Sequence, residues 1–106
     1  MSVLMEFAMF PTDKGESVSS YVSEVIDMIR NTGYPYKLTA MGTIIETENI
    51  QEALEVINKA YNILEPHSKR IYSTVKFDIR KNSQNRLEGK IKSVEEKIGK
   101  VNHWKN

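Results

Sequence analysis

The chain has 106 residues, is 40% hydrophobic and 27% charged, and carries a formal net charge of +1 with no cysteine. That length reads as one domain, residues 1–106, with a core that needs neither disulfide nor metal. Near-neutral charge removes the long-range field that draws a protein to nucleic acid or an anionic membrane. The missing cysteines exclude disulfides, thiolate catalysis and cysteine-ligated metal.

The first run, Val3 to Phe10, is short, apolar and stopped by Pro11 and the turn Thr12-Asp13-Lys14-Gly15. It reads as a strand whose two faces are both largely apolar, so it belongs at the centre of a sheet, covered on both sides. Val18, Val22, Val25, Ile26 and Ile29 then recur at helical spacing, with Ser17 as N-cap and Gly33 as the stop. The segment Gly33 to Glu46 reads as a tight hairpin turning at Met41-Gly42. That corner sets Leu38 opposite Ile45 and Tyr36 opposite Thr47, with Thr39 and Lys37 on the other face beside Ile44 and Glu46.

Asn49-Ile50-Gln51-Glu52 has the spacing of a capping box. Ala53, Val56, Ile57, Ala60, Ile63 and Leu64 mark the buried face of the helix it opens, and Pro66 ends it. Ile71 to Arg80 alternates: Ile71, Ser73, Val75, Phe77 and Ile79 form a core face, and Tyr72, Thr74, Lys76, Asp78 and Arg80 a polar one. Asn85-Arg86-Leu87-Glu88 is a second capping-box candidate. Leu87, Ile91, Val94, Ile98 and Val101 follow as the stripe of a third helix, weakened by Gly89 and Gly99. No apolar run approaches the ~18 residues of a membrane span. Residues 1–7 lack the basic start of a signal peptide, so the expected location is the cytoplasm.

The order β-α-β-β-α-β-α predicts an α+β, ferredoxin-like sandwich with an extra C-terminal helix. Right-handed crossovers put two helices on one side of a four-stranded antiparallel sheet of order 4-1-3-2. The other face is then left uncovered within one protomer. It carries Leu4, Glu6, Ala8, Phe10, Lys37, Thr39, Ile44, Glu46, Tyr72, Thr74, Lys76 and Asp78. That mixture suits an interface, and packing against the sheet of a second protomer would cover it.

Little in the sequence speaks for catalysis. His67 and His103 are the only histidines and have no metal-ligand spacing. No nucleophile elbow, phosphate loop or base-stacking motif is present. Ser17, Ser19 and Ser20 lie at a helix start, where capping is the simpler role and a ligand contact the sharper one. Glu6 is the strongest single residue, because a carboxylate within an apolar strand must be paired. A salt bridge to Lys76 or Lys37 is the simpler reading and a ligand contact the alternative. Glu46 has the same two readings, with Lys37 as its cross-strand partner.

Glu6-Phe7 leading to Pro11, Ser17-Val18-Ser19-x-Tyr21-Val22, and Gly33-x-x-Tyr36-x-Leu38-x-x-Met41-Gly42-Thr43-x-x-Glu46 together resemble the small, YkoF-related thiamine-binding family. Arg70, Lys76-x-Asp78-x-Arg80 and Lys90-x-x-Ser93-Val94-Glu95 also fit, so the resemblance spans essentially the whole chain. It implies a ferredoxin-like fold, homodimers or homotetramers, and non-catalytic binding of thiamine or its hydroxymethylpyrimidine part, with no cofactor. The family's ligand-binding positions are retained at Glu6, Ser19, Tyr36, Thr43 and Glu46, and Thr39 and Met41 join them as candidates because the same hairpin offers there the polar and apolar groups that a flat aminopyrimidine needs. The sequence departs from the family pattern at Ala40 and Thr47, where a proline and a glycine are usual, and at Ile79 and Asn82, where acidic residues are common. A structural or regulatory oligomer with no small-molecule ligand is the competing reading.

Overall fold

An extended chain from Ser2 to Pro11 sends its odd-numbered side chains to one side, and these are the apolar Val3, Met5, Phe7 and Met9. In the computed structural model, which describes residues 1–16 and 18–102, those four form the floor of the core. They belong to β1 (Ser2–Pro11), followed by α1 (Val18–Thr32), β2 (Tyr36–Thr39), β3 (Gly42–Thr47) and α2 (Ile50–Leu64). A 3-10 turn at Glu65–His67, β4 (Ile71–Arg80) and α3 (Arg86–Ile98) complete the order. The strands form one antiparallel sheet, β2-β3-β1-β4, which is the ferredoxin-like arrangement that the element order predicts. The N-cap expected at Ser17 lies outside the described residues, as does His103.

One helix layer covers one sheet face. α1 buries Val25 and Ile29, and α2 buries Ala53, Val56, Ala60 and Leu64, against Val3, Met5, Phe7, Met9 and Ile45. Each large side chain so buried contributes roughly 1.5–3 kcal/mol. The expected cap of α2 is present: Asn49 accepts the Glu52 N–H at 2.8 Å. The return bond reaches one residue further back than the standard box, from the Glu48 N–H to the Glu52 carboxylate at 3.0 Å.

β4 departs from expectation. Its pairing puts Val75, Phe77 and Ile79 on the helix side, level with Phe7, Met5 and Val3. Yet they are 37%, 39% and 49% exposed and are not core. The cause is position: α1 and α2 pack on β1, and α2 on β3 as well, so the outermost strand projects beyond the helix layer.

The hairpin turns one residue earlier than expected. Thr39 pairs with Gly42, Leu38 with Thr43 and Tyr36 with Ile45, so Ala40-Met41 is the loop. Neither loop residue has positive φ. The Thr39 side chain builds the turn instead: its hydroxyl donates to the Gly42 carbonyl at 2.8 Å and accepts the Met41 and Gly42 N–H groups at 3.2 Å each. Gly42 is needed for space, since a Cβ there would lie 2.9 Å from the Phe7 carbonyl oxygen of β1.

The open sheet face carries the residues expected of it, including Phe10 and Tyr72, whose rings pack with centroids 5.8 Å apart. It is not wholly uncovered, because α3 packs on β1 and β3. The expected capping box at Asn85 does not form. Asn85 adopts a left-handed conformation, φ 55°, and makes no side-chain cap bond. Gly99 lies beyond the helix rather than within it, and its φ of 89° suits the stop.

Candidate ligand-binding groove

The short strand β2 leaves α1 overhanging the hairpin edge of the sheet. The apolar stripe of α1 continues outward through Val22 and Ile26, and its polar positions Ser19, Ser23, Asp27 and Arg30 lie one helical turn apart beside it. Tyr36 and Leu38 on β2 form the opposite wall. Together they enclose an open groove of about 550 Å3. A second hollow of about 210 Å3 shares Val22, Ile26 and Leu38 with it and extends to Thr39, Met41 and Thr43 at the hairpin corner.

Ser19, Tyr36, Thr39, Met41 and Thr43 are therefore brought around one edge of the molecule. Their roles differ. Tyr36 is half-buried and presents an aromatic surface, while Met41 is 86% exposed at the lip. Thr43 is buried on the helix side of the sheet. The Thr39 hydroxyl is committed to its own turn. Ser19 is exposed, and its carbonyl accepts the Ser23 hydroxyl at 2.7 Å. The lining also contains Ser23, Asp27 and Arg30, which sequence reasoning missed. Their signal was the recurrence of polar residues every third or fourth position beside the apolar stripe. Asp27 and Arg30 form an exposed ion pair on that wall.

Glu6 and Glu46 are placed elsewhere. Both lie on the open face, opposite Ile44 and Leu4 respectively. Glu6 sits 3.8 Å from the Lys76 ammonium, the simpler of its two expected roles. Glu46 is 7% exposed and holds three donors. The Ser2 hydroxyl reaches Oε2 at 2.6 Å, the Arg86 N–H reaches Oε2 at 3.0 Å, and the Leu87 N–H reaches Oε1 at 3.0 Å. The Arg86 guanidinium binds the Ser2 hydroxyl and carbonyl at 3.0 Å each and the Asp78 carboxylate at 2.9 Å. Burial raises the Glu46 pKa, but the Ser2 hydroxyl, the two amides and the Arg86 charge outweigh it, and the net direction is downward. Lys37, the partner expected for Glu46, instead pairs with Glu88 of α3 at 2.8 Å.

Among the described residues, no group of three metal-ligating side chains gathers, and no helix is long and apolar enough to cross a membrane. The fold and groove define a small α+β domain with a ligand-sized recess beside its hairpin. The chain belongs to the thiamine-binding protein family, whose pattern it matches over residues 5–95. It is 35% identical to a UPF0045 protein of Methanothermobacter thermautotrophicus over 77% of this chain and 84% of that one. It is 32% identical to a UPF0045 protein of Methanocaldococcus jannaschii over 89% of this chain and 93% of that one. The crystal structure of the latter superposes with a TM-score of 0.79, covering 90% of this chain and 97% of that one. A proposed thiamine biosynthesis or salvage protein from Thermotoga maritima shares the fold, with a TM-score of 0.77 at 18% identity over 89% of this chain and 99% of that one.

Proposed function

We propose that this protein binds thiamine or its hydroxymethylpyrimidine part in the cytoplasm, without catalysing a reaction on it, as a homodimer or homotetramer. Family membership supplies the ligand class. The observation that carries the site is the groove between α1 and the hairpin, where Ser19, Tyr36, Thr39, Met41 and Thr43 gather. An aminopyrimidine has a flat apolar face and a hydrogen-bonding edge. Tyr36, Leu38 and Met41 suit the face, and Ser19, Ser23 and Asp27 suit the edge.

In this reading Glu46 acts indirectly, by fixing α3 to the sheet. Glu6 acts from the open face, which a second protomer covers. The apolar members of that face, Leu4, Ala8, Phe10 and Ile44, support such packing. Calorimetric titration of the native protein with thiamine and with hydroxymethylpyrimidine tests the proposal. Saturable binding of either supports it. No binding of either favours an oligomer with a structural or regulatory role, a reading that the purely structural bonds of Glu46 and Thr39 also accommodate.

A further inference from the structure

The groove beside the hairpin holds its polar groups in a fixed order. On the α1 wall they follow one another as Ser19, Ser23, Asp27 and Arg30, about 6 Å apart along the axis for each four-residue step and about 4.5 Å for the last. β2 runs back along that wall. α1 ends at Thr32 and β2 begins at Tyr36, so Tyr36 stands beside the Asp27–Arg30 end. Leu38, two residues further on, shares the smaller hollow with Val22 and Met41, toward the Ser19 end. The groove therefore has two unlike ends. At one, an aromatic ring faces a carboxylate and a guanidinium; at the other, an apolar lip lies beside two serines.

An exposed ion pair between residues three apart on a helix ordinarily adds little to stability. This one is placed where it can add recognition. Asp27 and Arg30 are joined through one carboxylate oxygen and one guanidinium nitrogen. The carboxylate has a second oxygen and the guanidinium has further N–H groups, so the pair presents an acceptor and a donor side by side. A 4-aminopyrimidine has the complement on one edge, an amino N–H next to a ring nitrogen that accepts. In hydroxymethylpyrimidine and in thiamine the 5-substituent continues that edge on the far side of the amino group.

We infer that Asp27 and Arg30 read this edge while the ring stacks on Tyr36, so that the groove selects 4-amino over 4-oxo pyrimidines. The inference rests on the proposed binding of thiamine or hydroxymethylpyrimidine in this groove. Asp27 accepts from the amino group, Arg30 donates to the ring nitrogen, and the 5-substituent runs toward Ser23, Leu38 and Met41. Serine, carboxylate and guanidinium along α1 thus match substituent, amino group and ring nitrogen along the pyrimidine. A 4-oxo ring in the same pose sets its carbonyl against Asp27 and its ring N–H against Arg30. Acceptor then meets acceptor and donor meets donor, and a site built for one hydrogen-bonding pattern rejects the other. Turning the ring over restores both bonds but sends the 5-substituent past Arg30, away from the apolar lip.

Calorimetric titration of the full chain with hydroxymethylpyrimidine and with its 4-oxo analogue tests this. The native protein should bind the 4-amino compound roughly tenfold to a hundredfold more tightly, the range set by hydrogen bonds to charged groups. Asp27→Asn, whose amide can turn to offer either its carbonyl or its N–H, should erase most of that preference. The exchange Asp27→Arg/Arg30→Asp should invert it. Both side chains are exposed, so melting temperatures should stay unchanged and a lost preference is not unfolding. Equal binding of the two compounds by the native protein, or a preference that Asp27→Asn leaves intact, overturns the inference while ligand binding stands. Binding of neither compound removes the ligand-binding reading itself, and this inference with it.

Discussion

Glu46 on β3 caps the helix that begins at Arg86. The carboxylate takes the Arg86 N–H at 3.0 Å and the neighbouring Leu87 N–H at 3.0 Å, two of the donors that a helix start leaves unpaired. The side chain of Arg86 then closes back on Ser2 and Asp78. A cap from a distant strand thus does two things: it starts α3 and it docks α3 on the open face.

Removing that carboxylate should free the helix. Glu46→Ala strands the Arg86 and Leu87 amides and removes the acceptor of the Ser2 hydroxyl, while the Arg86 guanidinium keeps Ser2 and Asp78; the loss should cost about 3 kcal/mol. Thermal denaturation measures the loss, and amide hydrogen exchange should show α3 losing protection before the sheet does.

The same site sets a pH dependence. The folded pKa of Glu46 lies below its ordinary value, so folding favours the ionised form. Its contribution is complete above the unfolded value, about 4.3, and is lost as pH falls through the lower folded value. Stability should therefore rise with pH across that window, because the unfolded chain binds the extra proton. Glu46→Gln should flatten that part of the profile; an unchanged acid slope in Glu46→Gln would show that other carboxylates set it.

Two glycines should respond with opposite signs. Gly42→Ala forces a methyl group to 2.9 Å from a backbone carbonyl on β1, which cannot swing aside. A destabilisation of roughly 1–3 kcal/mol is expected. Gly89→Ala meets nothing within 4 Å inside α3 and should stabilise by up to about 1 kcal/mol. Paired melting curves check both.

Glu6→Leu should barely change stability. The Lys76 pair is long and solvated, and such pairs are worth about 0–1 kcal/mol. Melting temperature and ligand affinity measured on this one variant separate its roles. A lost affinity with an unchanged melt assigns Glu6 to the ligand, and an unchanged affinity removes it from the site.

Much of the fold was legible because strand faces follow a period of two. The hairpin pairing is two residues away from the one expected, yet Tyr36 and Leu38 still share a face with Thr43 and Ile45, since a shift of two preserves faces. The turn itself was not legible, because the Thr39 hydroxyl, rather than a positive-φ glycine, closes it. The α3 cap was hidden for a different reason. Its acceptor, Glu46, is brought there by sheet pairing, while the local candidate Asn85 carries no cap bond. Alternation along β4 marks Val75, Phe77 and Ile79 as apolar but cannot say that the helix layer stops short of them. At the groove, Tyr36 and Thr43 came from the resemblance, Met41 from the apolar surface that a flat ring needs, and the α1 wall could have been found from helical periodicity.

Chemical-shift mapping of the amide groups during titration with thiamine, and separately with hydroxymethylpyrimidine, tests the proposed site most directly. The account predicts saturable shifts that cluster along α1 and the hairpin, around Ser19, Ile26, Tyr36 and Leu38, and that disappear in Tyr36→Ala. Shifts confined to the far end of β3, around Glu48 and Glu52, or no shifts with either compound, would contradict it.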